Sequence, residues 1–432
     1  MERDRTFTAG RTKAAAIAKT LDPRIVTPTC GANPRPIRTD PHMKNPSISK
    51  RGLRLAATLG VVVGVAVAVS GCGSSVGTDA SGGGSGTTTT DGQYVAMLDE
   101  LYKGTYQEPN GPVIAEPAAG KNIWVMPAGL NGEVMVDAVD GVKEAATKLG
   151  WDVTVFDGKF SPTTQLAGVQ QALAAGADGI ITVYVDCPAI KNGLAQAKQA
   201  KVPTINLAGE ECDPPAFAYT VAYPGFENYI DYLTAYGQAQ AYYAIAKTDG
   251  QAKVIMSTQT DLGSIREMSQ GVRNALAKCT GCEIRADAEF VGADFGPPLQ
   301  SKISQQFLKH PDANVFIAPY DAILTAGGTQ ALKSSSRLDQ TLVVAGEGSV
   351  EGIESIRSDS GIDACLGYDA GMEGYGGVNY LVIHFDGKDP SKVHNGIGWQ
   401  ACDKDHNLPA AGANFESPID YRAAYERLWS LR

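Results

Sequence analysis

Tyrosines and carboxylates recur at one kind of place in this chain, a few residues past short apolar runs. Tyr184 and Asp186 follow G-I-I-T-V, Glu210 follows T-I-N-L, Tyr320 and Asp321 follow N-V-F-I, and Glu347 follows L-V-V. Asn131 and Glu133 come in the same way after N-I-W-V-M-P, and Tyr368 after A-C-L-G. These side chains accept hydrogen bonds and present aromatic faces, which suits holding a small molecule. The alternatives are plain: the tyrosines can pack along a rim, and the acids can cap the next helix, worth about 0.5–2 kcal/mol. Groups for bond-breaking chemistry are missing. From residue 121 onward there is neither G-x-S-x-G nor G-x-x-x-x-G-K, and His310, His384, His394 and His406 are scattered without H-x-x-x-H pairing. The expectation is a binding protein, with no catalytic residues, no metal and no cofactor.

Such positions imply a particular scaffold. From Asn122 to Cys212 the sequence alternates four apolar, mostly β-branched runs of four to six residues with three amphipathic stretches. Strands about 30 residues apart with helices between them must be joined by crossovers and lie parallel, covered on both faces. Val136, Val139, Val142, Ala146 and Leu149 share one helical face, as do Leu166, Val169, Leu173 and Ala177. Gly150, Gly176 and Lys201 end the helices, and Asp152, Asp178 and Pro203 open the strands that follow.

In such a sheet the residues that meet a ligand lie past the carboxyl ends of the strands. Here they are Gly129 to Met135, Asp157 to Ser161, Tyr184 to Pro188 and Ala208 to Asp213, and none carries a dinucleotide-type glycine fingerprint. From Lys253 the strand–helix pattern starts again and runs to I-D-A-C-L-G-Y-D, which makes a second α/β lobe. Two such lobes form a cleft, and ligands prefer such interfaces. Tyr229, Tyr232, Tyr236 and Tyr243 recur at helical spacing and read as lobe core rather than as a surface patch for a partner.

The chain has 432 residues, 43% of them apolar, enough for sizeable cores. The first 93 residues contribute nothing to those cores. Lys44, Lys50, Arg51 and Arg54 precede the apolar run Leu55 to Val69, and Val69-Ser70-Gly71-Cys72 follows. The run is too short for an ordinary membrane span. The arrangement resembles a bacterial lipoprotein signal, which implies acylation at Cys72 and a start at Met43, with residues 1–42 an upstream extension or disordered. Gly73 to Gln93, rich in Gly, Ser and Thr, reads as a flexible tether.

Removing residues 1–71 takes away twelve basic and four acidic side chains, leaving 25 Lys and Arg against 43 Asp and Glu, a net charge of −18. So acidic a body argues against nucleic acid and against lying flat on anionic lipid. Beyond Cys30 and Cys72 six cysteines remain, and an exported compartment permits disulfides. Cys187 and Cys212 follow neighbouring strands, Cys279 and Cys282 share one turn, and Cys365 and Cys402 remain. The C-x-x-C pair has no second pair at zinc spacing, so a loop staple is expected rather than a metal half-site or redox pair.

Residues 121 to about 400 resemble the type I periplasmic binding protein family, in its ribose-binding or sugar ABC transporter substrate-binding branch. The echoes are D-G-V-K-E-A-A-T-K-L-G-W, Q-A-L-A-A-G-A-D-G-I-I, A-K-Q-A-K-V-P-T-I-N, Q-G-V-R-N-A-L and V-V-A-G-E-G. The resemblance implies an α/β fold of two doubly wound parallel-sheet lobes, joined by a three-crossover hinge and closing on a ligand in the cleft. It places the crossovers near Tyr223-Pro224, Tyr368 to Gly371 and Asp389, and the last first-lobe helix at Met372 to Phe385. The boundaries expected are 43–71 for the signal, 72–120 for tether and lead-in, 121–223 plus 369–388 for the first lobe, and 224–368 plus 389–432 for the second lobe and tail. The implied partners are a small-molecule ligand and an ABC transporter permease, reached by a monomer held to the cell membrane only through its lipid.

The pocket departs from the sugar-binding pattern. Met268 stands where the family often has an Arg, Val183-Tyr184 replaces Asn-Pro, and Ala208-Gly209, followed by Glu210 and Glu211, replaces Asp-Arg. Tyr320, Glu347 and Tyr368, the last beside Asp369, replace Asn, Asp and Gln, and Val134-Met135 replaces an aromatic pair. Without the arginines the site consists of acceptors and π-faces, which suits a sugar or polyol that brings its own donors or a cationic amine held by carboxylates and rings. A ligand-sensing receptor lobe for a membrane signalling partner is the other functional class this scaffold allows.

Overall fold

The computed structural model describes residues 90–431. The signal, Cys72 and the tether before Thr90 lie outside the described residues. Two sheets form the body. In the first lobe β1 (Asn122–Pro127), β2 (Asp152–Val155), β3 (Gly179–Val183), β4 (Thr204–Leu207) and the short β5 (Tyr219–Thr220) run parallel in the order β2-β1-β3-β4-β5. Their crossovers carry α2 (Glu133–Lys148), α3 (Pro162–Ala174) and α4 (Cys187–Ala200). The helices begin and stop where local chemistry asks. Ser161 caps α3 by accepting from Thr164 N, with Pro162 in its first turn, and Gly150, Gly176 and Lys201 take the left-handed conformation after the three helices.

The second lobe begins with α5 (Tyr229–Lys247). It continues through β6 (Lys253–Met256), α6 (Gly263–Leu276), β7 (Glu283–Asp287), α7 (Pro297–Lys309), β8 (Val315–Ile317), α8 (Thr329–Ser334), β9 (Leu342–Val344), α9 (Val350–Arg357) and β10 (Ala364–Gly367). The chain then returns to the first lobe as α10 (Ala370–Phe385) and re-enters the second as β11 (Gln400–Asp403). The sheet order is β11-β10-β9-β8-β6-β7. The edge strand β11 is antiparallel to β10, a departure from the all-parallel expectation. It arrives from the other lobe rather than through a helix of its own sheet, so no crossover constrains its direction. That pairing sets Cys365 opposite Cys402, and the structure joins them, as it joins Cys187 to Cys212 and Cys279 to Cys282.

Helices pack closely where glycines allow it. A Cβ on Gly141 of α2 would lie 2.3 Å from Gly371 O of α10, and one on Gly237 of α5 would lie 1.9 Å from Met268 O of α6. The hinge has three passes, after β5, after β10 and between α10 and β11, where His394 still bridges Ala222, so that the third lies beyond the expected Asp389. Two further passes flank it. The first helix α1 (Thr90–Lys103) lies in the segment expected to be tether and lead-in, yet it packs on α5 and β11 with Leu101 buried. Tyr102 O–H donates to Asp403 Oδ2 at 2.6 Å, and the same oxygen accepts from Tyr243 at 2.8 Å. The tail, expected on the second lobe, instead returns to the first as α11 (Tyr421–Leu428). Arg422 pairs with Glu144, and Trp429 is fully buried, stacking on Tyr375 and donating to Asn379 at 2.9 Å. Neither segment shows its side in the sequence, because a short amphipathic helix reports that it has an apolar face and not what covers it. Among the described residues no helix is long and apolar enough to cross a membrane.

Candidate functional site

A cavity of about 550 Å³ lies between the lobes. The strand ends of the first lobe supply Asn131, Glu133, Tyr184 and Asp186; those of the second supply Gln259, Asp261, Tyr320, Asp321 and Glu347. Tyr368 enters from the hinge, and Tyr229, Tyr232 and Tyr236 of α5 close one wall. Tyr236 O–H donates to Leu366 O at 2.6 Å and Tyr232 O–H to Gly398 O at 3.2 Å, so these rings are core pillars with one face on the cavity.

The second-lobe wall is built around a buried acid. Asp321 accepts from Gly346 N at 3.0 Å, from Ser349 N at 2.7 Å and from Ser349 Oγ at 2.8 Å, which ties the loop after β8 to the loop after β9. Its own N–H donates to Glu347 Oε2 at 3.2 Å. Burial, and then the neighbouring Asp321 carboxylate, push Glu347 up to about 8. At neutral pH Glu347 is therefore mostly a neutral carboxyl that can donate as well as accept. Beside it, Tyr320 O–H donates to Gln259 Oε1. At the hinge, burial raises Glu373 of α10 to about 7, and it takes a hydrogen bond from Tyr223.

Contacts between the lobes cross the rim. Glu133 Oε1 of the first lobe accepts from Val350 N of the second at 3.2 Å. A Cβ on Gly263, at the start of α6, would come within 2.9 Å of Glu210 Oε2. The lobes are thus in contact at their strand ends.

The family model described as a periplasmic binding protein domain matches residues 123–389. The chain belongs to that family. The ribose import binding protein of Escherichia coli (strain K12) is 26% identical over 247 residues, 56% of this chain and 78% of that protein. Its counterpart in Salmonella typhimurium is 25% identical over 248 residues, 57% of this chain and 78% of that one. Among solved structures, an ABC transporter solute-binding protein from Mycobacterium smegmatis with bound glycerol has a TM-score of 0.58 at 18% identity, over 69% of this chain and 100% of its own. A glucose-galactose binding protein from Geobacillus stearothermophilus has a TM-score of 0.58 at 18% identity, over 68% and 100%. At such identities the structures speak for the two-lobed fold. Membership in the family makes this chain a binding protein and not an enzyme.

In this binding protein eight of the ten expected ligand-binding residues line the cavity: Asn131, Glu133, Tyr184, Asp186, Tyr320, Asp321, Glu347 and Tyr368. Asp369 does not. It caps α10, accepting from Met372 N at 3.0 Å, and takes Ser417 N at 2.8 Å, so both carboxylate oxygens are used structurally. Glu210 also lies outside the lining; its N–H donates to Asp186 Oδ1 at 2.9 Å, which positions Asp186, and its side chain faces the other lobe at the rim. Burial raises the Asp186 carboxyl, opposed by that hydrogen bond and by Arg266.

Gln259, Asp261 and Phe295 line the cavity and were not expected there. The strand-end rule locates them, since they follow β6 and β7, had it been carried into the second lobe. Phe160 falls within the expected rim Asp157 to Ser161 without having been singled out. Tyr229, Tyr232 and Tyr236 sit on a helix, where periodicity reports core packing and nothing about a cavity alongside.

Proposed function

We propose that this chain is an extracytoplasmic solute-binding lipoprotein that captures a sugar or polyol by lobe closure and delivers it to an ABC importer. The observation that carries the proposal is the cavity itself, walled by strand ends of both lobes and by the hinge, so that a ligand contacts all three only when the lobes are together. The named binding partners of the relatives, ribose for the curated proteins and glucose, galactose, glycerol or D-allose for the solved structures, support a polyhydroxylated ligand. The lipobox-like run ending at Cys72 supports the anchor, and a monomer needs no partner beyond ligand and permease. Aromatic faces, Gln259, Asp186 and a neutral Glu347 give a hydroxyl-rich ligand both donors and acceptors.

One observation favours a second reading. Among the described residues six acidic side chains and eight aromatic rings line the cavity and no Lys, Arg or His does, a lining suited to a cationic amine. A thermal-shift screen of ribose, galactose, D-allose, glycerol and aliphatic diamines separates the two. At 100 times its dissociation constant a ligand adds about 2.7 kcal/mol of stability. Stabilisation by a sugar or polyol and not by diamines supports the first reading; stabilisation by diamines alone replaces it with the second; and silence from every compound on a folded protein defeats both.

A further inference from the structure

The cavity is larger than one sugar requires, and its surplus has a distinct chemistry. A hexose has twelve heavy atoms. Even at the looseness of liquid water, with about 30 Å³ for each heavy atom, it would occupy about 360 Å³. The cavity offers about 550 Å³, and packed organic matter is denser than that bound assumes. Space for at least a six-membered ring is left over.

The rim shows which kind of group the space suits. Large apolar side chains that stay exposed are few among the described residues, and four of the seven lie in strand-end loops at the cleft: Leu130 (39%) and Phe160 (43%) on the first lobe, Val291 (39%) and Phe295 (38%) on the second. Phe160 and Phe295 line the cavity from opposite lobes, with Pro162 and Ala293 beside them in sequence also exposed on its wall.

Phe160 is held there against its own preference. Lys159 and Phe160 both adopt left-handed backbone, with φ of 52° and 50°, a region that ordinary residues avoid because Cβ crowds the following carbonyl. For a bulky side chain it is an outlier of the kind that clusters at ligand sites. The ring lies over Gly129, where a Cβ would come within 2.1 Å of Phe160 Cε2, so the β1 loop has given up a side chain to seat it. Two strained residues and a glycine thus place an aromatic ring, 43% exposed, at the mouth of a cavity that has room to spare.

From this geometry we infer that the ligand is a sugar or polyol bearing an apolar substituent of about ring size, its hydroxylated part against Gln259, Tyr320 and Asp186 and its apolar part against Phe160. The inference rests on the sugar-capture reading and narrows it to glycoside-like ligands. Phe160 is then a specificity-determining residue, because a free monosaccharide has nothing to fill the space it faces.

The test is calorimetric titration of the mature protein with the methyl and phenyl β-glycosides of ribose, glucose and galactose, and with the disaccharides maltose and cellobiose. The expected result is that, for whichever sugar binds, the phenyl glycoside binds at least tenfold more tightly than the methyl one. Phe160→Asn should abolish that ratio. Because Asn tolerates left-handed backbone, its melting temperature should match or exceed the parent's. Phe160→Trp should keep the ratio. A methyl glycoside binding within twofold of its phenyl partner overturns the inference while leaving sugar capture intact, as does a disaccharide that binds more tightly than any phenyl glycoside. A Phe160→Asn protein with lowered melting temperature and an unchanged ratio makes Phe160 structural. Failure of every glycoside and disaccharide to bind overturns the inference alone when a free monosaccharide or polyol binds, and removes the sugar reading with it when none does.

Discussion

The half-buried carboxyl of Glu347 accepts from the backbone N–H of Asp321 at 3.2 Å, while the Asp321 carboxylate is itself occupied by Gly346 and Ser349. Two adjacent acids in one wall therefore do different work, Asp321 building the wall and Glu347 facing the cavity.

Their substitutions should separate accordingly. Asp321→Ala strands the N–H groups of Gly346 and Ser349 in a buried place, a loss of about 1–3 kcal/mol for each group left unpaired, and should lower the melting temperature without any ligand present. Asp186→Ala should weaken binding of the best ligand by about 1.5–3 kcal/mol, the range for a charged partner, with little change in stability. Glu347→Ala should cost about 0.5–1.5 kcal/mol of binding at pH 7, because its carboxyl is mostly neutral there. Calorimetry and thermal melts on the three variants check this; equal binding by the Asp186 and Glu347 variants and the parent would remove these residues from the site.

Stability of the empty protein should fall as pH rises from about 5 to 8. Burial lifts Asp137 to about 6, Glu373 to about 7 and Glu347 to about 8. Between the ordinary carboxylate range and those values the folded state holds more protons than the unfolded one, so the slope of stability against pH is negative in that window. Thermal melts at pH 5, 6, 7 and 8 test the sign. Glu347→Gln, uncharged throughout, should flatten the fall between pH 6 and 8 in particular, and an unaltered slope would mean that Glu347 titrates normally.

Leu101→Ala should destabilise the protein by about 2–5 kcal/mol, the usual range for a buried leucine. A cost that large is incompatible with α1 being a loose lead-in. Denaturant titration measures it, and a change below about 0.5 kcal/mol would return residues 90–103 to the tether.

Cys72→Ala should release the protein from the membrane fraction, since the lipoprotein signal that the sequence resembles puts the acyl chain on the Cys72 thiol. Sedimentation with membranes after a carbonate wash, undiminished by the substitution, would defeat the lipoprotein reading.

The α/β class, the two lobes, the strand ends that face the cleft and the pair Cys187–Cys212 could be read from sequence, because each follows from local periodicity plus the rule that crossovers make strands parallel, and the pair Cys279–Cys282 could be read from its place in one turn. What each acid does could not. Asp186, Asp321 and Asp369 all stand just past a strand, yet one faces the cavity, one ties two loops and one caps a helix while holding Ser417 from the distant tail. That division depends on which backbone N–H groups other segments bring within 3 Å, a matter of tertiary placement. The same holds for α1 and α11, which settled on the lobes opposite to any chain-order expectation, and for Phe160, whose position depends on a left-handed turn and on an empty Cα at Gly129. Periodicity determines which face of an element is buried; only the assembled fold determines what that face, or an exposed ring beside it, is buried against.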